Sequence, residues 1–203
     1  ACQIVVRADS EISTVEELEG HRVSVGEEES GTKQNALQIL AAYGLNEKLV
    51  EEVSLNYTEA AKELENGSID AFFCTAGAQT AAIANLAQRT GIRFLNVDGA
   101  AAARLKKSYP VYDSCIIAAG TYPGQEEDVS TVGVKAVLLA SDSVSAEVVE
   151  ELTALLFEEQ QELDFALPVE LITEADAAAG GLPVPFHKGA ERYYESRGEK
   201  SEN

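Results

Sequence analysis

The sequence predicts an α/β fold: a mixed, mostly parallel sheet flanked by helices. Two observations carry this. Short apolar or alternating runs take turns with helix-period stretches about every 20 to 25 residues. Glycines and cap residues mark the boundaries between them. A length of 203 residues then allows one large domain or two small lobes.

Taken in order, residues 3–7 contain Ile4-Val5-Val6 and form a short buried strand. Ser13 and Thr14 stand three residues before Glu16 and Glu17, the capping-box spacing, and a short helix to Leu18 follows. Gly20 ends it. Residues 52–55 form a short strand. Asn56 and Glu59 make a second capping box for a helix carrying Ala60, Ala61 and Leu64, stopped by Gly67. Residues 69–74 are an apolar strand run, Thr75-Ala76-Gly77 a turn, and 79–88 a helix. Residues 92–97 give another strand, and Asp98-Gly99 opens a helix through Lys107.

The pattern changes at Tyr109. Residues 111–119 are extended, and Thr121-Tyr122-Pro123-Gly124 is a turn signal. Glu126-Glu127-Asp128 is a solvated acidic patch. Residues 132–139 read as a strand. Ser145 opens an amphipathic helix with Val148, Val149, Leu152, Leu155 and Leu156 on one face. Pro183 and Pro185 exclude a central strand there. Residues 187–194 close the fold as a helix, and the chain frays from Ser196 onward.

The stretch at 22–45 organises the rest. Residues 22–25 alternate as a strand does, and Gly26 ends it. Gly31 is expected to turn the backbone where a Cβ would clash. Ser30 or Thr32 caps the following helix, whose Ala36, Leu37, Leu40 and Ala41 share a face. Gly44 is its left-handed stop. A loop entering a helix N-terminus offers unpaired N–H groups and a positive dipole end, suited to an anion.

Three readings of that loop stand together: a plain connection capping its own helix, a phosphate loop, or a site for a small carboxylate. The phosphate loop is the weakest. Gly26, Gly31, Thr32 and Lys33 approach G-x-x-x-x-G-K-[ST] with the last two residues reversed, and Glu27-Glu28-Glu29 repel a triphosphate. In parallel sheets ligands bind beyond the carboxyl ends of strands. If the strands before them are neighbours, Ser30, Thr32, Thr75 and Gly77 converge on one pocket.

Composition narrows the partners. A net charge of -20 excludes a nucleic-acid binder, which needs basic patches. No apolar run approaches the ~20 residues of a membrane helix. The chain has no Met and no signal peptide, so it is expected to be a processed product or an excised piece. Cys2, Cys74 and Cys115 form no metal motif. Cys74 and Cys115 sit in apolar runs and read as buried free thiols, with a disulfide open only if their strands are neighbours. Cys2 lacks the residues of a lipid-attachment signal.

Catalytic groups are missing. His21 and His187, the only histidines, lie outside any nucleophile or zinc motif. His21 reads as a surface residue and His187 as a capping or packing one. Glu27-Glu28-Glu29 reads as a solvated run rather than a metal site. No metal site, cofactor or catalytic residue is expected.

Nine pieces in order carry a resemblance: Val5-Val6-Arg7-Ala8-Asp9-Ser10; Gly20-His21-Arg22-Val23-Ser24-Val25-Gly26; Ser30-Gly31-Thr32; Asn35-Ala36; Tyr57-Thr58-Glu59-Ala60-Ala61; Ile69-Asp70-Ala71-Phe72-Phe73; Thr75-Ala76-Gly77; Ala119-Gly120-Thr121-Tyr122-Pro123-Gly124-Gln125; and Gly181-Leu182-Pro183-Val184-Pro185. Gly189-Ala190-Glu191-Arg192-Tyr193-Tyr194 follows the last at close range. Together they resemble the solute-binding receptors of tripartite ATP-independent periplasmic (TRAP) transporters, in the TAXI subfamily. The resemblance implies a two-lobed periplasmic-binding-protein fold that closes on its ligand and docks on a membrane permease. Residues 11–124 would form one lobe with the hinge crossings; 1–10 and 125–203 would form part of the other. The sequence departs from the family in two ways. It lacks a further N-terminal stretch with a Gly-rich loop, so one lobe is expected to be incomplete. It also carries Glu27-Glu28-Glu29 where the family has small or neutral residues, which favours a cationic or zwitterionic ligand unless they point outward.

The expected function is therefore a non-enzymatic extracytoplasmic receptor for a small carboxylate or a glutamate-like amino acid. Ser30, Gly31 and Thr32 would hold the carboxylate through hydroxyls and N–H groups. Asn35, Thr75, Ala76 and Gly77 would shape the facing wall. Tyr122 would cover the ligand or stand as an exposed turn aromatic. Two rivals remain: a sensor or interaction module of the same fold, and an enzyme using Cys74, which would have to be accessible and partly ionised.

Overall fold

The computed structural model describes residues 1–158, 173–179 and 184–198. The chain separates into two compact units, Ala1–Lys135 and Ala136–Asn203.

The first unit holds a five-stranded sheet. Its strands are β1 (Cys2–Arg7), β2 (Arg22–Ser24), β3 (Glu51–Val53), β4 (Ala71–Thr75) and β5 (Ile92–Phe94), in the order β3-β2-β4-β1-β5. β2 runs parallel to β3 and β4, while β1 is antiparallel to β4 and β5. Four strands thus point one way and β1 the other, which is the mixed α/β sheet the alternation predicts. The lobe division set residues 1–10 apart from 11–124. Instead, β1 is hydrogen-bonded on both edges inside the sheet of 11–124.

Helices cover both faces: α1 (Gly31–Ala42), α2 (Tyr57–Asn66), α3 (Ala81–Arg89) and α4 (Gly99–Ser108). Ile4, Val6, Val23 and Phe73 pack with Ile39, Leu40 and Leu105. Val5, Phe72 and Cys74 pack on the other side with Leu64, Ile83 and Leu86. A sheet buried on both faces explains why 4–6 and 71–74 read as continuous apolar runs.

Local signals set most helix ends. Asn56 and Glu59 form both halves of the predicted capping box, at 2.9 and 3.3 Å, and Gly67 stops α2 at φ +78°. The box at 13–17 is only half made. The Glu17 carboxylate accepts from the N–H groups of Ser13 and Thr14, but no side chain caps the one-turn 3₁₀ helix Glu16–Leu18.

The face of α1 differs from the expected one. Thr32, Ala36, Ile39 and Leu40 are buried, while Leu37 and Ala41 are exposed. Thr32 and Ile39 turn the buried stripe away from Leu37.

An antiparallel pair completes the unit: β6 (Tyr112–Ile117) and β7 (Val129–Val134). The strand expected at 132–139 starts earlier and ends at Val134. Val134 pairs with Tyr112, the first residue of β6, so the ladder has no partner beyond it. Leu138 and Leu139 are consequently exposed.

In the second unit lie α5 (Ala146–Glu158), α6 (Glu174–Ala178) and α7 (Lys188–Ser196). α5 buries Val149 and Thr153, while Val148, Leu152 and Leu155 of the expected apolar face are exposed among the described residues. The cause is where α7 approaches. A Cβ on Gly189 would meet the Ala146 carbonyl, and would lie 2.7 Å from Glu150 N and 2.8 Å from Val149 Cβ. Tyr193 and Tyr194 pack with Phe157 and Phe186. His187 caps α7, its Nδ1 accepting from Gly189 N–H at 3.1 Å, as expected. Residues 180–183, part of the expected Pro-rich turn, lie outside the described residues.

Candidate functional site

β2 and β4 are parallel neighbours, with Ser24 opposite Phe72. Their carboxyl ends therefore lie side by side. α1 starts after β2, and α3 after β4, so two helix N-termini open at one edge of the sheet. Asn35 Nδ2 of α1 donates to Thr75 Oγ1 at the end of β4, at 3.3 Å. The strands before the two loops are thus neighbours, the condition that the expected convergence required.

Gly26 shapes the first loop. It has φ +100°, and a Cβ there would lie 2.9 Å from the Thr32 side chain. Gly31 does not play the turning role expected of it. It is the first helical residue, and its Cβ position is open. Glu29 takes the left-handed conformation instead, at φ +60°. Ser30 is the cap, accepting from Lys33 N–H at 3.1 Å.

Thr32 is buried, and its hydroxyl lies 2.6 Å from Tyr57 OH. Tyr57 gives its only proton to the Thr75 carbonyl at 3.0 Å, so Thr32 is the donor to Tyr57. Its hydroxyl proton is spent inside the protein, contrary to the expected contact with a carboxylate. What the α1 start offers is its backbone. Among the described residues, the N–H groups of Gly31, Thr32, Gly77, Ala81 and Ala82 have no acceptor in the chain.

The acidic run does not fill this space with charge. Glu27, Glu28 and Glu29 are all exposed. Lys33 Nζ grips Glu28 at 2.7 and 2.8 Å, and Ser54 Oγ donates to it at 2.6 Å. These bonds hold the Glu28 carboxyl below its usual pKa.

A second tyrosine backs α1. Tyr112 OH lies 2.8 Å from Asn35 Oδ1 and 2.7 Å from Gln38 Oε1. Burial raises the pKa of Tyr112 and of Tyr57, so both stay neutral. Ala76 is tied to the chain start: Ala76 N–H donates to the Ala1 carbonyl at 3.1 Å.

Tyr122 is neither exposed nor placed as a cover. It is 2% exposed, and its hydroxyl donates to Gln3 Oε1 at 2.6 Å. The turn at 121–124 folds its ring inward against Phe94, with ring centroids 5.2 Å apart.

Cys2 and Cys74 are buried, Cys115 is half-buried, and all three are free. β4 pairs with β1 and β2, and β6 with β7, so Cys74 and Cys115 are not on neighbouring strands. Burial pushes the Cys74 thiol up to about 11. That leaves it unlike an activated nucleophile.

A separate cleft of about 560 Å³ lies in the second unit between α5 and α7. It is lined by Glu147, Glu150, Glu151 and Glu158 with Tyr193 and Arg197. Arg192 pairs with Glu147 and Arg197 with Glu158, so part of this acid is neutralised.

Sequence reasoning missed Tyr57, Tyr112 and Gln3. Gln3 left a readable trace: it is the one polar residue in the buried run 2–6. Tyr57 follows a capping Asn at the end of β3, the parallel neighbour of β2.

The molecule is an α/β protein whose mixed sheet carries two open helix N-termini at the ends of adjacent strands. It belongs to the NMT1-like family, which it matches over residues 1–198. Among solved structures it is similar to the periplasmic aliphatic sulphonate binding protein SsuA from Escherichia coli. The identity is 18%, the TM-score 0.49, and the match covers 83% of this chain and 49% of that one. The alkanesulfonate-binding protein SsuA from Xanthomonas axonopodis pv. citri, bound to MOPS, is 18% identical with a TM-score of 0.47, over 80% and 47%. An ancestral arginine-binding protein bound to glutamine is 17% identical with a TM-score of 0.43, over 81% and 56%. The chain thus spans about half the length of these structures.

Proposed function

We propose that this chain is the ligand-holding part of an extracytoplasmic solute receptor. It takes a small organic anion, a carboxylate or a glutamate-like amino acid, and delivers it to a membrane permease. The reading rests on one observation: the N–H groups without acceptors at the starts of α1 and α3, at the ends of adjacent parallel strands. The anionic group lies against Gly31, Thr32 and Gly77. Ser30, Asn35, Thr75 and Ala76 form the surrounding wall. The TRAP class of permease, in its TAXI branch, is the partner suggested by the sequence pieces quoted above.

No catalysis is assigned. Neither histidine lies among the loop residues, and the Cys74 thiol is held protonated. A thermal-shift screen with L-glutamate, succinate, taurine and L-arginine tests the reading. A ligand bound only by the folded protein raises Tm. A rise with an anionic or zwitterionic compound supports it. A rise with none of the four contradicts it.

A further inference from the structure

Four polar groups close a ring behind the loop that leads into α3. Tyr122 OH donates to Gln3 Oε1 at 2.6 Å. Gln3 Nε2 donates to the Gly77 carbonyl at 3.4 Å. Thr80 Oγ1 donates to that same carbonyl at 2.9 Å. Thr80 N–H donates back to Tyr122 OH at 3.1 Å. Each bond of the ring has one donor, and together they fix the Gln3 amide in one orientation.

Neither the sheet nor the turn requires this ring. Gln3 sits on β1 among Cys2, Ile4, Val5 and Val6, where an apolar residue would pack without needing partners. Thr80 occupies the N-cap of α3 but does not cap it; its hydroxyl points back to Gly77. A usual cap would satisfy one of the N–H groups that this loop leaves open. Gln79, between them, holds φ +63°, which a non-glycine residue adopts only when its surroundings enforce it. The ring therefore grips the loop from the buried side and leaves its outer N–H groups unclaimed.

We infer that Gln3 and Tyr122 are positioning residues for the ligand-facing loop at 77–80. They touch no ligand. They hold Gly77 and Thr80 in the one arrangement that keeps the α3 start open. This rests on the reading of that loop as half of an anion site.

Tyr122→Phe removes one oxygen and keeps the ring packed against Phe94. Amide hydrogen exchange on the ligand-free protein reads its effect. Thr80 is expected to exchange at least about tenfold faster, with Phe72, Phe73 and Cys74 unchanged. Gln3→Leu is expected to give the same local pattern. Equal Thr80 rates in Tyr122→Phe and the parent overturn the inference. So does a uniform acceleration through β4, because Tyr122 would then hold the whole sheet. Binding adds a second arm, with L-glutamate as probe. If L-glutamate raises the Tm of the parent, its affinity for Tyr122→Phe should fall by about tenfold. An unchanged affinity overturns the positioning role and leaves the receptor reading intact. If L-glutamate fails to bind the parent, the receptor reading loses that ligand, and the exchange rates alone decide the role of Tyr122.

Discussion

The hydroxyl of Thr32 lies 2.6 Å from that of Tyr57, and Tyr57 passes its own proton to the Thr75 carbonyl. Three segments that follow or end strands β2, β3 and β4 are joined by these two bonds. Tyr57→Phe should leave the Thr32 hydroxyl and the Thr75 carbonyl unpartnered, at a cost of about 1–3 kcal/mol. Urea unfolding measures it, as a lowered midpoint with unchanged slope. An unchanged midpoint would mean the pair holds nothing together.

Gly26 is the tightest point of the first loop. Gly26→Ala must accommodate both φ +100° and a Cβ 2.9 Å from the Thr32 side chain. The expected loss is about 1–3 kcal/mol. Gly31→Ala is the control, because its Cβ position is open and its helical conformation suits alanine. Thermal melts should show a large drop for the first and little change for the second.

The thiols give a test with a pH sign. With a pKa of about 11, roughly one Cys74 in a thousand is ionised at pH 8. Native alkylation with iodoacetamide should label the half-buried Cys115 first and spare Cys2 and Cys74 until urea is added. The unfolded Cys74 ionises near its ordinary value, below the folded one. Its contribution to stability is thus complete below that value and is lost as pH rises towards 11. Buried Tyr112 and Tyr122 are shifted in the same direction and add to the same alkaline loss. Early labelling of Cys74 in the native protein would revive the enzyme reading.

Much of the fold was legible because local chemistry enforces it. Asn56, Glu59 and Gly67 set α2 by themselves, and the run at 71–74 is apolar because both faces of the sheet are covered. The misread features depend on distant neighbours. The stripe of α1 turns because Thr32 meets Tyr57, 25 residues away. The strand at 129–134 stops where its partner does. Tyr122 read as a ligand cover or an exposed turn aromatic, since nothing near it in sequence announces a buried amide 119 residues distant. For the site, the loops were readable from strand-to-helix spacing. The hydroxyl bonds that use up Thr32 were not, because Tyr57 and Thr75 approach only in three dimensions.

In the second unit, Gly189 allows α7 to touch the first turn of α5. Gly189→Ala places a methyl against the Ala146 carbonyl and within 2.8 Å of Val149 Cβ. Helix propensity alone would make this change favourable. Backbone contact reverses the sign, and a net loss of about 1–3 kcal/mol is expected. Circular-dichroism melts check it, and a gain in Tm would show that the two helices are not in contact there.

The claim that the starts of α1 and α3 hold an anion is tested most directly by following backbone amides by NMR during titration with L-glutamate, succinate and taurine. The amides of Gly31, Thr32, Gly77 and Ala81 should shift together and saturate with one of these compounds. Those of Ala100 and Ala101, at the start of α4, are the control, because α4 also lacks a side-chain cap. Saturable shifts confined to the first set are the predicted result. Shifts of equal size at α4, or none that saturate, would contradict the account.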